Sequence, residues 1–152
     1  MQPSPIQLKN MSYLGIKVWP RYGAEEASTD PFDFNGVIIG EGVEVAVLPE
    51  GAKDTIYAVR LHIKIANEEG APAPYDLDIE VAGIFEISDK VTPDERENMI
   101  TINGCAVLYS AIRDQVLTLT SRSSLGPLML PTVNFLDHKK FEHASPAAPP
   151  LE

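Results

Sequence analysis

Apolar and polar side chains alternate in four stretches of the first part of the chain. Alternation with a period of two predicts β-strands that bury one face each. In the first stretch the alternation slips near Lys9 and Asn10, which indicates a β-bulge. The four predicted strands are residues 6–18, 42–48, 55–66 and 75–87.

Charged side chains on the polar faces of the last two strands predict how these strands pair. Basic residues alternate along one strand and acidic residues along the next, and opposite charges placed across an antiparallel ladder stabilise it by about 0.2–1 kcal/mol each. The two strands therefore form a hairpin in the register that matches these charges. This register pairs Lys64 with Asp76, His62 with Asp78 and Arg60 with Glu80.

Helical spacing replaces the alternation after residue 92. Thr92, Pro93 and Glu95 predict an N-terminal capping box, and Gly126 with Pro127 predicts the end of the helix. Gly104 indicates a kink or a restart within it. The fold class is therefore α+β, an antiparallel sheet with a long helix packed on one face.

The apolar residues of this helix extend beyond one narrow stripe, because Leu117 lies outside the main stripe. A helix that covers a sheet on one side and a second subunit on the other needs this distribution. The stripe that we assign to an oligomer helix consists of Leu108, Ile112, Val116 and Leu119.

The segment at residues 124–135, SLGPLMLPTVNF, is too apolar for an ordinary loop and too interrupted by proline for a helix. Its apolar side chains have two possible roles, and the residues alone leave both open for each side chain. They can seal the layer between sheet and helix, or they can form an exposed surface that holds apolar residues of another protein.

A chain of 152 residues with 44% hydrophobic residues is long enough for one domain with a sizeable core. We expect this domain to span residues 1–143, followed by a disordered proline-rich tail at 144–152 whose last two residues resemble a tag scar. No membrane helix and no secretory signal is predicted. The single cysteine, Cys105, fits a reducing compartment, and the net charge of −10 disfavours nucleic-acid binding.

Candidate catalytic residues are few. Cys105 near a helix start could be a nucleophile, but no base is near it in sequence, and a small buried thiol is the commoner case. The histidines His62, His138 and His143 show no spacing typical of metal ligands, and no nucleotide-binding motif is present. The sequence therefore predicts a binding protein without catalytic residues, cofactor or metal.

The stretch AGIFEI at 82–87, a helix that ends in Ser-Arg, and GPLMLPTVNF at 126–135 together resemble SecB, a family of bacterial protein-export chaperones. The resemblance runs from about residue 6 to residue 136. It implies a meander of strands 2, 3 and 4, with strand 1 returning beside strand 4 through the long connection at 19–36. It also implies a cytoplasmic homotetramer, built as a dimer of dimers, that holds unfolded polypeptides or preproteins without ATP.

The resemblance also implies where these polypeptides, called clients below, would bind: on strand 2, on the aromatic connection and on the apolar residues after Pro127. The expected client-binding residues are Trp19, Tyr22, Val43, Val45, Val47, Leu128, Met129, Leu130, Val133, Phe135 and Leu136.

An acidic sheet face docks the translocation motor SecA in that family, and Asp76, Asp78 and Glu80 form its possible counterpart here. Asn10 and Leu14 depart from this pattern, because the family has acids where they stand. Arg60 and Lys64 further reduce the charge of the face. The departures fit SecB-like chaperones outside the export pathway, and the alternative function is a dedicated chaperone of one partner, such as an antitoxin.

Overall fold

The computed structural model describes residues 1–22, 30, 33–49, 53–66 and 73–138. Expectations about His143 and the tail at 144–152 lie outside the described residues. The elements are β1 (Ile6–Pro20), β2 (Gly40–Val47), β3 (Ile56–Ile65), β4 (Tyr75–Ile87), α1 (Pro93–Thr120) and a short 3₁₀ helix (Leu136–His138).

The four strands form one antiparallel sheet in the order β1-β4-β3-β2. Strands β2, β3 and β4 form the predicted meander, and β1 returns beside β4. Helix α1 contacts this sheet, and no described helix is long and apolar enough to cross a membrane. The predicted α+β class and strand order are confirmed.

Strand β1 contains the predicted bulge and a second one. The pairing with β4 shifts between Leu8 and Asn10, which confirms the first, and again between Tyr13 and Gly15. A bulge bends an edge strand and increases its twist. Edge strand β1 is therefore irregular, whereas β2 pairs with β3 without a shift.

The predicted register of the β3–β4 hairpin is wrong by two residues. Lys64 lies opposite Asp78, and His62 lies opposite Glu80. Two of the expected contacts nevertheless form diagonally, as an ion pair between Arg60 and Glu80 and a hydrogen bond between His62 and Asp78. Diagonal neighbours are within reach of long side chains, so the charges predicted the face correctly but could not determine the register.

The core lies between the inward faces of β3 and β4 and helix α1. Alternate residues of both strands are buried along their whole length. At Gly104 the helix approaches the sheet closely, because a Cβ added there would lie 3.2 Å from the Val59 side chain. A restart of the helix at Gly104 is wrong, since α1 continues through this residue, whereas a kink there stays a prediction.

Both ends of α1 differ from their predicted form. Thr92 makes no side-chain cap hydrogen bond, so the capping box is absent, although its carbonyl accepts a hydrogen bond from the Glu95 amide. The helix ends at Thr120 rather than near Gly126. Turns fill the interval to Gly126, which has the positive φ of 82° that glycine adopts readily.

The stripe assigned to an oligomer helix faces the subunit's own sheet. Leu108, Ile112 and Val116 have no exposed surface, whereas Leu119 is 46% exposed. In this subunit the first three side chains are core residues, so they offer no surface to a second subunit.

Candidate functional site

The segment that follows helix α1, residues 127–138, is called the exit segment below. Its apolar side chains divide into a buried and an exposed set. Leu128, Leu130 and Phe135 are at most 4% exposed and belong to the core, whereas Val133 is 37% exposed and Leu136 is 53% exposed. The buried set cannot reach a client in this conformation, so the surface proposed below leaves these three residues out.

Polar side chains of α1 hold the exit segment by its backbone. Tyr109 Oη donates to the Pro131 carbonyl at 2.7 Å, and Arg113 Nε donates to the Leu130 carbonyl at 2.9 Å. The Tyr109 ring also meets Phe135 edge-on, with 5.8 Å between centroids. Hydrogen bonds to backbone carbonyls do not depend on the side chains of the exit segment. This arrangement fixes the segment while half-buried Met129 and the exposed set face outward.

The end of the exit segment reaches strand β2. His138 Nε2 lies 2.9 Å from Glu41 Oε1, and the His138 ring lies beside Phe135 with 6.0 Å between centroids. Exposed Leu136, two residues earlier, is thereby placed near the start of β2, where Ile38 is 79% exposed.

Within the described residues, strand β2 pairs with β3 on one edge and has no partner strand on the other. The Leu48 amide donates to the Ile56 carbonyl, which shows that the even-numbered residues of β2 make the ladder to β3. The N–H and C=O groups of the odd-numbered residues therefore point away from the sheet, and none of them bonds to a described residue. These residues are Glu41, Val43, Val45 and Val47.

The side chains of these valines lie on the helix side of the sheet. Val43 lies opposite Leu61 and Val45 opposite Val59, both fully buried. Val43 and Val45 are half-buried, while Val47 is 48% exposed. The edge thus combines free backbone groups with partly exposed apolar side chains.

The two aromatic residues of the connection that were expected to bind clients are both exposed. Trp19 is 64% exposed and pairs with Asp76, which places it on the outer face of the sheet, away from the helix. Tyr22 is 72% exposed, and its hydroxyl lies 3.2 Å from Ser124 Oγ. The structure does not bring Trp19 together with the valines of β2.

The acidic residues expected to dock SecA also lie on the outer face, and each has a basic neighbour. Glu80 pairs with Arg60, and Asp78 Oδ1 lies 2.6 Å from His62 Nε2. Asp76 Oδ1 is 3.9 Å from Arg21 Nε. Hydrogen bonding to Glu80 raises the pKa of Arg60, so this guanidinium stays charged. Each of the three carboxylates on this face therefore contacts a basic side chain.

A cavity of about 550 Å³ adjoins the Val47 end of β2, between the β2–β3 turn and the first turn of α1. Arg96 is 7% exposed, and its guanidinium donates to the carbonyls of Lys53, Asp89 and Val91 at 2.8 to 3.3 Å. The cavity is lined by Val45, Val47, Lys53, Asp54, Tyr57, Pro93, Arg96 and Glu97.

The candidate nucleophile Cys105 and the possible metal ligands were the groups with potential chemistry in the sequence. Cys105 is fully buried, and burial raises the pKa of its thiol to about 12, which keeps it protonated. The described ranges contain no cluster of three or more potential metal ligands.

Sequence reasoning missed three features of this region. The free backbone edge of β2 depends on strand order, which the pattern of β2 does not contain. Tyr57 lies on the inward stripe of β3 and was indistinguishable from a core residue. The alternation of apolar and polar residues did not identify Ile38 as exposed, because Ile38 precedes the first alternating position of β2.

Comparisons with known proteins agree on one family. The model of the family described as preprotein translocase subunit SecB matches residues 41–141. A protein-export protein SecB of Rhodospirillum centenum is 24% identical over 95 residues, which cover 62% of this chain and 56% of that protein. An uncharacterised protein of Methanocaldococcus jannaschii is 31% identical over 68 residues, 45% of this chain and 43% of that protein. The chain spans about half the length of the curated relatives it matches.

Among solved structures, the fold is similar to the Mycobacterium tuberculosis SecB-like chaperone Rv1957, solved in complex with a ChAD peptide from the HigA1 antitoxin. The TM-score is 0.58 at 20% identity, and the match covers 85% of this chain and 90% of that chain.

Proposed function

The chain belongs to the SecB family, and from this membership we propose that it is an ATP-independent chaperone that holds unfolded polypeptides in an extended form. The free edge of β2, with its partly exposed valines, is the observation that carries this proposal. The chaperone is cytoplasmic, works without catalysis and assembles as a homotetramer, and its folded unit spans residues 1–143.

The backbone of the β2 edge explains how one surface can bind many sequences. An extended polypeptide that adds to a sheet edge is held by main-chain hydrogen bonds, which every residue except proline can make. The outward groups of Glu41, Val43, Val45 and Val47 supply four donors and four acceptors along this edge. Binding of this kind requires an extended client, which excludes folded proteins.

Exposed apolar side chains next to this edge supply the rest of the binding free energy. Val47, Ile38, Leu136 and Val133 are each at least 37% exposed, and they lie on β2 or on the segments that adjoin it. Exposed apolar groups of this kind mark interaction sites. Half-buried Met129 adds a flexible side chain that adapts to different partners.

The opposite sheet edge suits self-association rather than clients. Strand β1 is bulged twice, which disrupts regular pairing with an unrelated strand. Its exposed Leu14 and Ile16 are instead available to a second copy of the chain. SecA is left out of the proposal, because Asp76, Asp78 and Glu80 each contact a basic side chain of the outer face.

Suppression of aggregation tests the proposal. A chemically denatured client is diluted into buffer with and without a twofold excess of subunits, and light scattering is followed without ATP. We expect scattering to fall in the presence of the chain. Unchanged scattering for several unrelated clients would contradict a general chaperone function.

A dedicated chaperone of a single partner is the second candidate. The structural similarity to a chaperone bound to an antitoxin peptide favours it. Affinity capture from the native host, followed by mass spectrometry, separates the two functions. A general chaperone captures many unrelated polypeptides, whereas a dedicated chaperone captures one partner in near-stoichiometric amount.

A further inference from the structure

The Tyr57 hydroxyl makes no hydrogen bond to any residue that the structure describes, although only 7% of the residue is exposed. The other tyrosines that pack against the core are satisfied. Tyr13, Tyr75 and Tyr109 donate to the carbonyls of Ala111, Gly126 and Pro131. No described side-chain oxygen or nitrogen is both buried and without a partner. The Tyr57 oxygen is therefore reached by solvent rather than sealed in the core, and it is available to a ligand.

The Tyr57 side chain borders the cavity of about 550 Å³ at the Val47 end of β2. Val45, Val47 and Pro93 give this cavity apolar walls, and charged residues form the remainder of its lining. Burial raises the pKa of Tyr57, so its hydroxyl stays protonated and can both donate and accept a hydrogen bond.

The wall opposite β2 is preformed. Arg96 is held by three backbone carbonyls, from the β2–β3 turn and from the connection that leads into α1. The Lys53 ammonium lies 2.7 Å from Asp89 Oδ2, which ties the same two segments together. A cavity with fixed walls discriminates among occupants by shape and by hydrogen bonding.

We propose that this cavity receives a tyrosine or tryptophan side chain of a client segment that lies along the β2 edge, with the client's phenol or indole N–H hydrogen-bonded to the Tyr57 hydroxyl. The inference rests on the proposed function and specifies the client class. Leucine or phenylalanine would fill the apolar walls but leave the hydroxyl without a partner. An aromatic ring with a polar tip satisfies both parts of the cavity.

The position of the cavity agrees with this occupant. It borders Val45 and Val47, whose outward backbone groups form the last part of the free edge. Side chains on alternate residues of an added strand point to the same side of the sheet. One of them can therefore reach the cavity while the client backbone remains hydrogen-bonded to β2.

Peptide binding to the full chain tests the inference. Four labelled peptides share one extended sequence and carry Trp, Tyr, Phe or Leu at the central position, and fluorescence anisotropy gives each Kd. One neutral hydrogen bond corresponds to a preference of about two- to tenfold. We expect Trp and Tyr peptides to bind tighter than the Phe peptide by this factor, and Tyr57→Phe to reduce the ratio to about one without weakening the Phe peptide.

Tyr57→Phe removes only an oxygen that has no partner in the described part of the chain, so we expect its Tm to match that of the unmodified chain. Tyr13→Phe removes a hydroxyl on β1, at the other edge of the sheet, and is the matched control that should leave every ratio unchanged. A Trp-to-Phe ratio that survives Tyr57→Phe would overturn this inference alone. Absence of binding by all four peptides and by a denatured client would overturn the proposed function and the inference with it.

Discussion

Truncation at two positions of the exit segment should separate folding from client binding. Leu130 has no exposed surface, whereas Leu136, six positions later, is 53% exposed. Leu130→Ala removes buried methyl groups and leaves a cavity between the exit segment and α1. Leu136→Ala removes methyl groups that are already in contact with water.

The expected cost follows from burial. Leucine-to-alanine changes in a core destabilise by about 2–5 kcal/mol. Leu130 belongs in this range because it is fully buried and its carbonyl is held by Arg113 at 2.9 Å. Surface substitutions usually change stability by less than about 0.5 kcal/mol, which is the range expected for Leu136→Ala.

Urea denaturation at one fixed protein concentration measures the free energies of unfolding, since oligomerisation makes stability depend on concentration. Titration of a labelled denatured client measures affinity. We expect Leu130→Ala to lower stability and Leu136→Ala to weaken client binding with nearly unchanged stability. The reasoning would be refuted if Leu136→Ala were the destabilising change, or if Leu130→Ala weakened client binding without loss of stability.

Three further changes test other parts of the account. Val45→Pro removes an outward N–H at the free edge of β2 and should weaken client binding while the fold persists. Ala46→Pro removes an N–H that bonds to β3 and should unfold this edge of the sheet. Circular dichroism measures the difference in folding between the two variants. Gly83→Ala places a Cβ 2.7 Å from the Phe85 ring and should cost about 1–3 kcal/mol in urea denaturation, and an unchanged midpoint would contradict the close packing. Cys105, with its pKa raised to about 12 by burial, should resist iodoacetamide at pH 8 until urea unfolds the chain, and rapid alkylation of the native protein would contradict its burial.

The fold could be predicted because its main elements follow strict periodicities. The alternation in β3 and β4 determines which side chains face the helix, and a one-residue slip would have moved them all to the other face. A shift of two residues keeps every side chain on the correct face. The register of the hairpin was therefore the part that alternation and charge could not predict.

The exit segment could be predicted only in part. Its composition indicated an apolar surface, but composition does not show which side chains point inward. That division depends on Tyr109 and Arg113, which fix the backbone of the segment from the neighbouring helix. The same limit applies to Tyr57, because whether a tyrosine on the inward face borders a cavity is a property of the tertiary structure.

Site-resolved amide hydrogen exchange tests the central claim, that clients add to the free edge of β2. The amides of Val43, Val45 and Val47 have no partner among the described residues and should exchange rapidly in the free chain. On addition of a saturating unfolded client, we expect these three amides to become protected, while those of Gly42, Glu44 and Ala46 change little because β3 already holds them. Unchanged exchange at the three valines, with the client shown to be bound, would contradict the account.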